Sequence, residues 1–326
     1  MKRITVLFMC FIVLCALFPV VLYSKDTVKI AMGYIPNVQF APYYIALEKG
    51  YFQQEGIAVA LDYGMSTDIM SLVGGGQIEF GISDGDQVII ARDRGIPVKV
   101  VYSMYVKYPV AIVSFKEKGI TRVRSLVGKR VGTPGPYGSN YFGLKIMLNH
   151  EGLSYEDVDL KFIGYTQIES LIADRVDAAV VFINNEPIVL REMGKEINVL
   201  DTYSITPMVS ASIITGDHLI EKDPELVRKF IRAVVKGSRY VIDHQDEVIL
   251  LLKNYIPTLT EHNLDINKKV LRASLELWMD EDTAIHGIGY TTKSDWECSI
   301  DEMYNLGLIR RRISPADCYT NRFIGN

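Results

Sequence analysis

The apolar positions of this chain change their spacing twice. Behind Lys2 and Arg3, residues 4–22 form an almost unbroken apolar run. From Val28 to about residue 216, apolar runs of strand length take turns with stretches whose apolar side chains recur every three or four positions. That is the alternation parallel β-α-β units need. Beyond Asp223 only the helical spacing remains.

The first part predicts strands at 28–32, 58–63, 80–82 and 98–102, with helices over about 42–49, 66–73 and 87–92. The second part repeats the scheme, with strands at 130–133, 159–163 and 178–182, a helix over about 139–150 and a short helix after the second strand. In both parts an acidic residue (Glu79, Asp177) stands just before a short apolar strand. Two α/β lobes of related winding are therefore expected. The apolar runs Val110–Phe115 and 211–215 are read as the connections out of the first lobe and back. The boundaries become 1–24 for a leader, 25–110 plus 211–326 for one lobe, and 111–210 for the other. In the tail, Asp223 and Pro224 suit the N-cap and first turn of a helix over 225–243. Further helices are expected over 247–254, 266–277 and 293–306.

Composition narrows the classes. The chain has 326 residues, 48% hydrophobic and 23% charged, a globular balance with room for two lobes. The basic start, apolar run and following Tyr23-Ser24-Lys25-Asp26 read as an export signal; at about 19 residues the run is also long enough for a retained anchor. Cys10 and Cys15 lie inside it, in surroundings that fit a lipid-modification site poorly. Leaving out Lys2 and Arg3, 33 basic side chains stand against 39 acidic ones, and no basic stripe with interleaved aromatics occurs, which excludes a nucleic-acid binder. Cys298 and Cys318 are the cysteines outside the leader, and an oxidising compartment would allow them to pair. The histidines at 150, 218, 244, 262 and 286 match no metal-ligand spacing, and no nucleophile elbow is present.

The candidate chemistry gathers at strand ends. Residues 33–52, GYIPNVQFAPYYIALEKGYF, crowd Tyr34, Phe40, Tyr43, Tyr44 and Tyr51 around a Pro-Asn turn between a strand and a helix. Open α/β sheets bind small molecules at that edge, and aromatics there suit a flat ring. Tyr34, Asn37 and Phe40 are read as a stacking wall with an amide; Tyr43 and Tyr44 are expected to pack inside. Ser83, Asp84 and Asp86 follow the strand at 80–82 and suit ligand hydroxyls, or equally helix capping. Tyr105, beside the first connection, is a candidate for the opposite side of an aromatic sandwich; Tyr108 fits a surface or hinge position better. Tyr137, Gly138, Ser139 and Asn140 form a second-lobe loop at a helix N-terminus, where free N–H groups favour an oxygen-rich group. Asn184, Asn185 and Glu186 follow the strand at 178–182, where Pro187 also suits a capping role.

Three segments carry a resemblance: GYIPNVQFAPYYIALEKGYFQQEGI (33–57), GGGQIEFGISDGDQ (74–87) and DRVDAAVVFINNEP (174–187). Together they resemble the Thi5-like, pyrimidine-precursor branch of periplasmic binding proteins, the solute receptors of ABC importers, over nearly the whole chain after the leader. PNVQFAP and SDGDQVIIAR are most similar to receptors proposed for riboflavin import. The resemblance implies a type II two-lobed α/β fold with a ligand cleft and two crossovers. It also implies an exported protein at the periplasmic or outer membrane face, with or without a lipid anchor. Its partners would be a small ligand and a membrane permease, and it would act as a monomer, without cofactor, metal or covalent chemistry. It assigns Glu186 to a ligand ring, helped by Asn184 or Asn185. Pyrimidine-binding and pyrimidine-synthesising relatives commonly carry His where Phe40 stands, and the enzymes add a cysteine-rich motif; this chain has neither. The expectation is a flavin ligand, ahead of a thiamine-pyrimidine precursor and of an enzymatic role.

Overall fold

The computed structural model describes residues 27–64 and 68–325. The leader with Cys10 and Cys15, and the first residues of the helix expected over 66–73, lie outside them.

Among the described residues, ten strands build two five-stranded sheets. The first holds β1 (Val28–Ala31), β2 (Val59–Asp62), β3 (Phe80–Asp84) and β4 (Val98–Ser103); the second holds β5 (Val110–Phe115), β6 (Arg130–Thr133), β7 (Asp159–Phe162), β8 (Ala178–Phe182) and β9 (Ile197–Asp201); β10 (Ala211–Gly216) returns to the first. The orders are β2-β1-β3-β10-β4 and β7-β6-β8-β5-β9. β1 runs parallel to β2 and β3, and β6 parallel to β7 and β8, while β10 and β5 are antiparallel to their neighbours. The two sheets thus share one plan, the two-lobed α/β fold expected.

The acids before the buried strands do the same work twice. Glu79 Oε2 accepts the Lys29 N–H at 2.8 Å, tying β3 to β1. Asp177 Oδ2 accepts the Arg130 N–H at 3.0 Å, tying β8 to β6. The guanidinium of Arg130 also donates to Asp177 and, with Lys118 nearby, holds its carboxyl well below the usual range.

One reading is corrected. Val110–Phe115 and the run from Ala211 are not connections; each is a sheet strand held between two neighbours. VAIVSF is buried at every residue but the last, the pattern of a strand covered on both faces. The connections are the segments 104–109 and 202–210; the first begins against the start of β10, where the Met104 and Tyr105 N–H groups both donate to the Ala211 carbonyl, at 2.8 and 3.0 Å. β9, INVLD, is a partly exposed edge strand that no apolar run announces.

Six helices matter for the site: α1 (Ala41–Glu48), α2 (Gly85–Asp93), α3 (Gly138–His150), α4 (Glu186–Glu192), α5 (Pro224–Asp243) and α6 (Leu264–Trp278). α5 starts where the sequence indicates, with Asp223 accepting the Leu226 N–H at 2.9 Å. Its apolar face covers the first sheet, where Phe230 stacks on Phe80 with centroids 4.0 Å apart. α5 crosses α1 at Gly237, where a Cβ would lie 2.2 Å from the Pro42 carbonyl oxygen. Tyr43 and Tyr44 are fully buried, as expected. Cys298 and Cys318 are free thiols. Burial pushes the Cys318 thiol up to about 12.

Candidate functional site

The carboxyl ends of β1, β3, β6 and β8 carry most of the predicted residues on or just beyond their loops, with Tyr105 on the connection after β4. After β1, Tyr34 is half-buried and reaches the second lobe: its ring meets Tyr165 edge to face, centroids 5.1 Å apart. Burial, then the nearby Glu186, holds its phenol far above the ordinary value. Asn37 turns out to serve the turn itself, its Oδ1 accepting the Gln39 N–H at 3.0 Å to cap a short 3-10 turn over Val38–Phe40. Phe40 is only 5% exposed and packs edge to face on Tyr43 in the first-lobe core. Neither residue is the open wall the sequence suggests. Asn after Pro favours turns, and an aromatic starting an apolar helix is drawn inward.

After β3 the residues behave differently. Ser83 and Asp84 are half-buried at the strand's end. Asp84 occupies the N-cap position of α2, yet its side chain makes no capping hydrogen bond. Burial, together with Asp86, pushes its carboxyl up to about 7. Asp86 is fully buried and joins three parts of the molecule. It accepts from Tyr108 Oη at 3.1 Å, on the connection, and from Ser139 Oγ at 3.1 Å, in the second lobe. Tyr108, expected at the surface or a hinge, is 1% exposed and also donates to the Ser139 carbonyl at 3.0 Å. It is buried on the connecting segment, its hydroxyl within reach of two oxygens.

In the second lobe, Tyr137 is 58% exposed at the N-cap of α3 and makes no side-chain cap. Gly138 has φ +75°, and a Cβ there would meet nothing within 4 Å. The loop therefore shows bare backbone to open space, and its left-handed conformation favours glycine. Asn140 anchors the loop, donating to the Val180 carbonyl of β8 at 2.9 Å. Glu186 is 8% exposed at the start of α4, accepting from the Phe182 N–H at 3.1 Å and from Asn185 Nδ2 at 3.3 Å. Burial pushes its carboxyl up to about 7. Asn184 is 1% exposed; its Nδ2 donates to Ser274 Oγ of α6 at 2.8 Å and to Tyr105 Oη at 3.3 Å. Tyr105 is thus drawn into the same cluster, buried at 2%.

Three acids held toward neutrality by burial, several tyrosines and a bare glycine loop stand where these loops of the two lobes meet. Protonated carboxyls donate as well as accept. Sequence reasoning missed Tyr165, Gln39, Ser274 and Trp278. Tyr165 had a signal, an aromatic just beyond an edge strand; the others lie on the Val38–Phe40 turn and on α6, which tertiary packing brings against each other. Among the described residues, no helix is long and apolar enough to cross a membrane.

Comparison with known proteins places these features in a family. A family model described as "NMT1/THI5 like" matches residues 37–248. The riboflavin-binding protein RibY of Chloroflexus aurantiacus is 35% identical over 304 residues, 92% of this chain and 87% of that protein. A formylaminopyrimidine-binding protein of Halalkalibacterium halodurans is 30% identical over 84% of this chain and 83% of its own. A 4-amino-5-hydroxymethyl-2-methylpyrimidine phosphate synthase of Legionella pneumophila is 25% identical over 92% and 93%. Among solved structures, the periplasmic aliphatic sulphonate binding protein SsuA of Escherichia coli superposes with a TM-score of 0.67 at 12% identity, covering 92% of this chain and 99% of that one. That likeness carries the fold alone.

Proposed function

The chain belongs to the NMT1/THI5-like family, and from that premise we propose that it is the solute-binding receptor of an ABC importer whose ligand is riboflavin or a close flavin-like ring. The observation that carries the ligand is the Tyr34–Tyr165 pair at the mouth between the lobes; Phe40, though held in the core, adds to it by its identity. It stands where the pyrimidine-handling members it resembles commonly carry His, and its neighbours Tyr34 and Tyr165 offer aromatic faces at the cleft mouth. The 35% identity to a riboflavin-binding protein supports the same reading.

In this reading the ring enters between the loops after β1 and β8, and the polyol tail lies along Ser83, Asp84, Tyr137 and Gly138. A carboxyl group near its titration point can accept from or donate to a ribityl hydroxyl. Asp86, Tyr108 and Ser139 stay behind the ligand and hold the lobes in register. The lobes open by hinge motion at the segments 104–109 and 202–210 and close on the ligand. The closed form then docks on a membrane permease. The leader read in residues 1–24 would place the protein outside the cytoplasmic membrane.

A thiamine-pyrimidine precursor is the second reading, favoured by the 30% identity to a formylaminopyrimidine-binding protein. The synthases among the relatives bring in an enzymatic role, for which this cleft offers no histidine at position 40.

A thermal-shift panel tests the proposal. Purified protein should melt several degrees higher with riboflavin and not with a 4-amino-2-methylpyrimidine, and chromatography should recover riboflavin unaltered. A shift with the pyrimidine alone would transfer the receptor to the second reading. Chemical conversion of either compound would make the protein an enzyme.

A further inference from the structure

Three buried polar atoms around α6 have no hydrogen-bond partner among the described residues: Gln39 Nε2, Asn184 Oδ1 and Trp278 Nε1. Their residues are 6%, 1% and 1% exposed. Unpaired buried polar groups are uncommon in folded proteins and call for an explanation. These three come from different parts of the chain, and each lies on α6 or on a segment that touches it. Gln39 lies on the 3-10 turn that packs against α6. Asn184 donates to Ser274 of α6. Trp278 sits one turn beyond Ser274 on the same helix face.

The orientation of the Asn184 amide is fixed by its surroundings. Ser274 Oγ has a single proton and donates it to the Val270 carbonyl at 2.8 Å. It must therefore accept from Asn184, which makes the atom at 2.8 Å the nitrogen and leaves Oδ1 unpaired. The indole N–H is a donor only. The set thus holds two unpaired donors and one unpaired acceptor.

We propose that Gln39, Asn184 and Trp278 read a cyclic imide edge, in which two carbonyl oxygens flank one N–H, as in the dione ring of a flavin. This rests on the flavin reading above and names the part of the ring that is recognised. The two carbonyls take the Gln39 and Trp278 N–H groups, and the imide N–H donates to Asn184 Oδ1. A 4-aminopyrimidine presents one amino donor beside a ring-nitrogen acceptor and satisfies at most two of the three. The third would remain buried without a partner, so the set selects between the two ligand classes. Gln39 and Trp278 become specificity residues that sit behind the aromatic mouth.

The test changes the ligand before the protein. Riboflavin and 3-methylriboflavin, whose imide N–H is replaced by N–CH₃, are titrated against the unaltered protein. The methyl compound should bind about tenfold or more weakly, the loss expected when a buried acceptor is left facing a methyl group. Trp278→Phe, which keeps the ring and removes the N–H, should weaken riboflavin by about tenfold. Asn184→Leu should remove most of the difference between the two flavins. Equal binding of both flavins by the unaltered protein would overturn the imide assignment while leaving the receptor reading in place. Binding of neither would overturn the receptor reading and this assignment with it.

Discussion

Tyr34 of the first lobe and Tyr165 of the second meet edge to face across the cleft mouth, centroids 5.1 Å apart and planes at 76°. Such a pair contributes about 1 kcal/mol beyond its buried area, so it helps hold the lobes together and must be opened to admit a ring. Replacing Tyr165 with Ala should lower the melting temperature slightly. If both rings also face the ligand, each of Tyr34→Ala and Tyr165→Ala should weaken riboflavin by about 1 kcal/mol. Unchanged affinity in both variants, measured by calorimetry, would remove them from the site.

Asp86 ties α2 to the connection and to α3 through Tyr108 and Ser139. Removing one donor leaves a buried carboxyl group short of a partner. Tyr108→Phe and Ser139→Ala should each destabilise the protein by about 1–2 kcal/mol in urea. Because both act on the same carboxyl, their double variant should depart from additivity. Strict additivity would show that the Asp86 hub is not a unit.

The acids set a pH dependence with a definite sign. Burial raises Glu186 and Asp84 to about 7, and raises Asp86 as well, above their unfolded values. The folded protein therefore binds more protons than the unfolded chain between about pH 4 and 7. Their contribution is fully present below that window and lost as the pH rises through it. Glu186→Gln cannot ionise and should lose less stability than the unaltered protein between pH 4 and 8. For Glu186 the difference at pH 8 should be about 3 kcal/mol at most, since opening of the lobes would hydrate the carboxylate. Parallel melting-temperature profiles for the two proteins would contradict the burial of this group.

Gly237 is a packing site independent of ligand. A Cβ there would lie 2.2 Å from the Pro42 carbonyl oxygen, a backbone atom with no freedom to swing away. Gly237→Ala should cost about 1–3 kcal/mol by forcing α5 off α1, although alanine is the better helix former. A variant as stable as the original would show that the two helices separate freely.

Much of this arrangement was legible from the residues. The strand-helix alternation located both sheets, and attention to strand carboxyl ends picked out Tyr34, Asp84, Ser139 and Glu186, which stand where the two lobes meet. What failed was partnership. VAIVSF reads the same whether it links two lobes or fills the centre of a sheet, because an apolar run does not name its neighbours. Asn37 and Phe40 have the right chemistry for a wall, but a turn claims the amide and the core claims the ring. Gln39, Ser274 and Trp278 are ordinary helix and turn residues until α6 folds back against the cleft.

The central claim is tested most directly by riboflavin fluorescence. Adding purified protein to riboflavin should quench its emission with a stoichiometry near one, and an excess of a 4-amino-2-methylpyrimidine should not restore it. Full emission at micromolar protein, or its recovery on adding the pyrimidine, would contradict a flavin receptor.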